Sequence, residues 1–101
     1  MKSTLAIVEI NNVNFMIHAS NHALKRMAQR KINKYAISGS IIALGKDALV
    51  SIQESKDQAI LIDEHRGISI VFAVRNYRIS IITVINKSNV FVKKNTKIVK
   101  V

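Results

Sequence analysis

The stretch Ile68-Ser69-Ile70-Val71-Phe72-Ala73-Val74-Arg75-Asn76-Tyr77-Arg78-Ile79-Ser80-Ile81-Ile82-Thr83-Val84-Ile85 holds two strand-sized runs on either side of Asn76-Tyr77. Ile68, Ile70, Phe72 and Val74 recur at every second position, the period of a strand with one buried face. Asn tolerates the left-handed backbone that a two-residue hairpin turn demands. The pattern therefore predicts a hairpin of Ile68–Arg75 with Arg78–Ile85. Composition agrees: 17 Ile and 10 Val dominate the apolar set, with no Pro and no Trp. β-branched side chains lose χ1 freedom in a helix and pack well on a pleated surface.

Working outward, Ala48 to Glu54 and Gln58 to Glu64 read as two further strands across Ser55-Lys56-Asp57, and His65-Arg66-Gly67 as the turn into Ile68. Upstream, Leu5 to Ile10 and Val13 to His18 read as a hairpin across Asn11-Asn12. Ser20 or Asn21 offers an N-cap oxygen for a helix running to about Arg30. Asn33 caps a second helix, Lys34 to Leu44, ended by Gly45. Downstream, Val90 to Val92 and Thr96 to Val101 read as short strands joined by Lys93-Lys94-Asn95. The order is ββααββββ, which predicts an α+β domain: one antiparallel sheet with two helices packed on one face. Nothing in 101 residues argues for an internal boundary, so residues 1–101 are read as a single domain. The longest apolar run, Ile79 to Ile85, is far shorter than the ~20 residues that span a bilayer. The start has no secretory pattern, so a soluble, cytoplasmic protein without a membrane partner is expected.

Charge points to a partner. There are 16 Lys and Arg against 6 Asp and Glu, a net charge of +10. All the acids, Glu9, Asp47, Glu54, Asp57, Asp63 and Glu64, lie at or before residue 64, and from Arg66 onward there are only cations. A second basic cluster holds Lys25, Arg26, Arg30, Lys31 and Lys34. Such a field attracts polyanions, chiefly nucleic acid or anionic membrane, with a solubilising face as the plainer alternative. The absence of Cys excludes a disulfide scaffold, a thiol nucleophile and the usual zinc sites. There is no Gly-rich phosphate loop, nucleophile elbow or HExxH pair. His18 and His22 have the spacing of a metal pair but no neighbouring carboxylate, so neither a metal nor any other cofactor is expected.

On a helical wheel, His22, Arg26 and Arg30 form one ridge, clear of the apolar stripe of Leu24, Met27 and Ala28. Imidazole is the side chain that titrates near neutral pH, and guanidinium holds two phosphate oxygens through its planar fork. That set suits metal-free cleavage of RNA by its own 2′-hydroxyl, which needs a base, an acid and positive charge at phosphorus. The plainer alternative is a solvated helix face. Thr83, within an apolar strand, is either a half-buried β-former or a hydroxyl facing that ridge. Asp63-Glu64 beside His65 reads as a strand-end turn. Tyr35, Tyr77 and Phe91 could stack bases, but so few aromatics argue against a stacking platform.

The run His22-Ala23-Leu24-Lys25-Arg26-Met27-Ala28-Gln29-Arg30-Lys31-Ile32 resembles the H-A-x-x-R-M-x-x-R-x-I opening of the DUF4258 family of small bacterial proteins. The helix ending in Leu44-Gly45 and the late hairpin with its Ile82-Thr83-Val84 element fit the same pattern, over roughly residues 18–87. The resemblance implies a RelE-like, ribonuclease-toxin type of fold, links to mobile elements, RNA cleavage, and a cognate antitoxin or immunity protein. It carries catalytic roles to His22, Arg26 and Thr83. The RNA-binding set is then Arg30, Lys25, Lys31, Lys34, Arg75 and Arg78. The family's usual Gly after the second Arg is Lys31 here, a residue compatible with a helix end. Residues 1–17 add a hairpin outside the pattern, and 88–101 a basic strand or tail. Two other readings compete with the toxin-like endoribonuclease: a non-catalytic RNA- or ribosome-binding module, and a phage or plasmid protein–protein adaptor using an exposed strand edge.

Overall fold

Two hairpins with left-handed turns, at Asn11-Asn12 and Asn76-Tyr77, supply four of the six strands of the sheet. The computed structural model describes residues 2–90, 92 and 96–101. β1 (Lys2–Ile10) and β2 (Val13–Ser20) pair antiparallel, with Asn11 at φ 51° and Asn12 at φ 66° between them. β4 (Ile68–Arg75) and β5 (Arg78–Ile85) do the same across Asn76 at φ 51° and Tyr77 at φ 59°. The late hairpin has the boundaries its alternation predicts. β3 (Ala59–Asp63) and β6 (Lys97–Lys100) complete a six-stranded sheet in the order β1-β2-β5-β4-β3-β6.

The sheet is mixed, which corrects the antiparallel expectation. β2 runs parallel to β5 and β6 parallel to β3. Parallel partners come from distant parts of the chain, so local periodicity says nothing about them. Of the expected C-terminal strands, Thr96 to Val101 narrows to Lys97–Lys100, while Val90 and Val92 lie outside any strand. Phe91 and the Lys93-Lys94-Asn95 turn fall outside the described residues.

Three helices, one more than expected, connect the halves. α1 (Asn21–Gln29) begins where the Ala23 amide donates to Ser20 Oγ at 3.1 Å. α2 (Lys34–Leu44) begins where the Ala36 amide donates to Asn33 Oδ1 at 2.9 Å. Each such cap contributes about 1 kcal/mol. α3 (Lys46–Ser55) overturns the strand expected at Ala48 to Glu54. Gly45, at φ 92°, ends α2 and starts α3 with no side-chain cap, which leaves only Asp47 in the first turn as a start signal in the sequence. Leu49 and Ile52, three apart, share the buried side of α3 and are fully buried, a helical and not an alternating pattern.

All three helices cover one face of the sheet. Ala23, Met27, Ile37, Ile41, Leu49 and Ile52 join Phe15, Ile17, Ile70, Phe72, Val74, Ile79, Ile81 and Val84 in one core. The opposite face divides in two. Around β3, β4 and β5 it is overlain by the chain after β5, whose Val92 and Thr96 line a pocket with Ile60, Val71 and Thr83. Around β2 and the start of β5 it is open.

Candidate nucleic-acid interface

The basic ridge of α1 splits on inspection. His22 and Lys25 are exposed and Arg26 is half-buried, its Nη1 donating to Gln29 Oε1 at 3.0 Å. Arg30 turns inward instead: its Nη1 donates to the Val84 carbonyl, tying α1 to β5. A guanidinium committed to a backbone carbonyl is a structural tether before it is a phosphate clamp. Lys31 and Lys34 are exposed in and after the turn that follows α1, and Lys34 Nζ lies 5.5 Å from the Tyr35 ring centroid.

Thr83 does not meet His22 and Arg26. Phe72 pairs with Ile81 and Val71 with Thr83, so Ile82 is an extra residue in β5. Such a bulge reverses the side-chain phase. Without it Thr83 would share a face with Ile79 and Ile81 beneath the helices. With it Val84 takes the helix face, and Thr83 lies on the other side with Val71 and Ile60. The three residues that the family pattern assigns to catalysis are therefore on opposite sides of the sheet.

The open face holds a different cluster. Thr4, His18, Arg75, Asn76, Arg78 and Ser80 line a pocket of about 380 Å³ with no carboxylate in its wall. The pairing builds it: His18 lies beside Ser80 across the parallel β2–β5 ladder, Thr4 opposite His18 on β1, and Arg75 opposite Arg78 at the end of the β4–β5 hairpin. Arg75 is anchored by donating to the Val74 carbonyl at 2.8 Å and the Lys56 carbonyl at 2.6 Å. Arg78 is exposed and its side chain, among the described residues, makes no hydrogen bond or ion pair. His18 Nδ1 is 3.4 Å from Thr4 Oγ1, and its Nε2 is buried without a partner. In the sequence, His18 stands out only by its metal-pair spacing to His22. The alternation of β2, with Phe15, Ile17 and Ala19 buried, already puts His18 on the opposite face.

Asp63, by contrast, is structural. Its side chain is fully buried and accepts from Ser40 Oγ at 2.6 Å, the Arg66 amide at 2.9 Å and Arg66 Nη1 at 2.9 Å. Burial pushes the carboxyl up. The Ser40 hydroxyl, the two Arg66 hydrogen bonds and the Arg66 charge outweigh it and hold the group below its ordinary range. Gly39 leaves the room: a Cβ there would lie 2.6 Å from Arg66 Nη2. The strand-end turn read at Asp63-Glu64-His65 is thus fastened to α2.

Asp63–Arg66 is the one ion pair among the described residues, so the other described cations have no carboxylate partner there. Among the same residues no group of three or more His, Asp or Glu side chains is placed to hold a metal ion. No single helix is long and apolar enough to cross a membrane; α2 and α3 meet that test only as a pair bent by 89°. No protein-family model, curated protein or solved structure matches the chain.

Proposed function

We propose that the protein binds RNA through its unpaired cations. The observation that carries this reading is the imbalance between 16 cations and 6 acids together with a single ion pair among the described residues. A protein using its charge only for solubility would intersperse the two signs. Here residues 10–46 contain no acid, and among their cations Lys25 and Arg26 lie on α1, Lys31 in the turn after it and Lys34 at the start of α2. Tyr35, 74% exposed beside Lys34, adds a ring on which an unpaired base can stack. Tyr77 is less available, because its ring packs on Phe15 at 5.7 Å between centroids. The resemblance of the His22–Ile32 run to the DUF4258 opening, and the RNA cleavage that this resemblance implies, supports the same partner class.

Cleavage of that RNA is the second reading, favoured by His22 and Arg26 standing one turn apart on α1 without an acid nearby. It proceeds without Thr83, which the bulge in β5 turns away.

The test is binding of a labelled single-stranded RNA in EDTA, with the RNA afterwards run on a denaturing gel. Lys25→Ala with Lys31→Ala is expected to weaken binding by about tenfold, at roughly half to one kcal/mol per lost phosphate contact. Equal affinity in wild type and double variant would refute this surface. Cleavage lost in His22→Ala would establish the second reading, and intact RNA would leave binding alone.

A further inference from the structure

We propose that the open-face pocket between β1, β2, β4 and β5 is a phosphate-binding site, formed by Arg78, His18, Thr4 and Ser80 and closed on one side by Arg75. The inference deepens the RNA-binding reading, since it assigns where one phosphate of the nucleic acid is seated.

Arg75 and Arg78 occupy directly opposed positions of an antiparallel pair. Like charges so placed repel, and a sheet ordinarily avoids them. Both line the pocket, and no carboxylate joins them there. Arg75 is fixed by two carbonyls, Val74 and Lys56. That leaves Arg78, whose side chain has no partner among the described residues, as the guanidinium free to meet a ligand. A bound anion relieves the repulsion and receives the planar fork of the guanidinium.

The neutral lining points to the same ligand. Thr4 and Ser80 bring hydroxyls, Asn76 an amide, and His18 a ring with an unpartnered buried Nε2. A buried nitrogen without a partner is costly unless a ligand or water meets it. Hydroxyls, an imidazole and a free guanidinium around 380 Å³ match the several oxygens of a phosphate. A carboxylate ligand would use fewer of them. The pocket is also distinct from α1, whose cations lie across the sheet, so RNA held at both places would wrap the β1–β2 side of the protein.

The full-length protein is titrated with inorganic phosphate and followed through its amide and imidazole NMR signals. Shifts concentrated on Thr4, His18, Asn76, Arg78 and Ser80 are expected. Arg78→Gln should weaken the affinity about tenfold, the usual scale of a lost charge-assisted pair. His18→Phe keeps a flat ring, slightly larger, and removes both the orphaned Nε2 and the Nδ1 beside Thr4, so it should still fold and bind phosphate less well. Shifts absent from the pocket, or unchanged affinity in both variants, overturn the site. Two RNAs, one with a 5′-hydroxyl and one with a 5′-phosphate, separate the sources. Equal binding with loss in Arg78→Gln assigns an internal phosphodiester, and tighter binding of the second assigns a terminal phosphate. If RNA does not bind while inorganic phosphate does, the RNA reading fails and the site stands. If RNA binds wild type and Arg78→Gln alike, the site fails and the RNA reading stands.

Discussion

Lys31 sits at φ 55° in the turn that closes α1, with its amide donating to the Ala28 carbonyl at 3.4 Å and the Ile32 amide to the Met27 carbonyl at 2.9 Å. This is the paired hydrogen-bond arrangement that favours Gly at the left-handed position. The chain accepts a lysine there at a conformational cost, and the cation it presents is one of the proposed RNA contacts. Lys31→Gly is therefore expected to raise stability by about 1 kcal/mol while weakening RNA binding. Urea melts and RNA titrations of one variant check both halves; a destabilised Lys31→Gly would contradict the turn. Asp63 makes a prediction of opposite flavour. Its folded carboxyl is held below the unfolded value, so the unfolded chain takes up the proton first. The stabilisation is present at and above pH 5 and is lost as pH falls through the folded value. Asp63→Asn should lower stability at pH 7 and flatten the acid limb of a stability–pH curve measured by urea midpoint. An unchanged acid limb would remove Asp63 as its source.

Among the elements, α3 is the sharpest case of a helix whose sequence looks like a strand. In a strand Leu49 and Ile52 would face opposite sides, with Val50 beside Ile52; in α3 Leu49 and Ile52 are both fully buried and Val50 is not. Leu49→Ala and Ile52→Ala should each cost about 2–5 kcal/mol, and Val50→Ala distinctly less. Comparable losses at Val50 and Ile52, with little at Leu49, would restore the strand. The hairpins and α2 were legible because their signals are local: left-handed Asn turns, alternating Ile and Val, and Asn33 at the cap. α3 was not, since it starts on Gly45 without a capping side chain and is filled with Ala, Leu, Val and Ile in a mixed period. The parallel β2–β5 ladder was not either, because it joins Met16 with Arg78 across the whole helical region. The candidate site suffered from both limits. His22 and Lys25 are exposed and Arg26 half-buried on α1, clear of its buried stripe as the wheel predicts, yet Thr83 is turned away by one extra residue at Ile82. The pocket around His18 exists only once β2 meets β5.

At the scale of the molecule, a cation-rich surface surrounds an Ile-rich core. α1 and α2 carry their cations on the helical side and Arg75 and Arg78 theirs on the open side, while the acids of α3, Asp47 and Glu54, border a separate groove with Tyr77. Both faces of the β1–β2–β5 half are thus positive. The most direct measurement is the affinity of the full-length protein for a short labelled single-stranded RNA as a function of salt. Contact with several phosphates predicts a slope of log affinity against log salt of about −2 to −3, at roughly −0.7 for each phosphate neutralised on a single strand. Arg78→Gln should make that slope shallower by about the share of one phosphate. No binding at low salt, or an affinity indifferent to salt, would contradict the account.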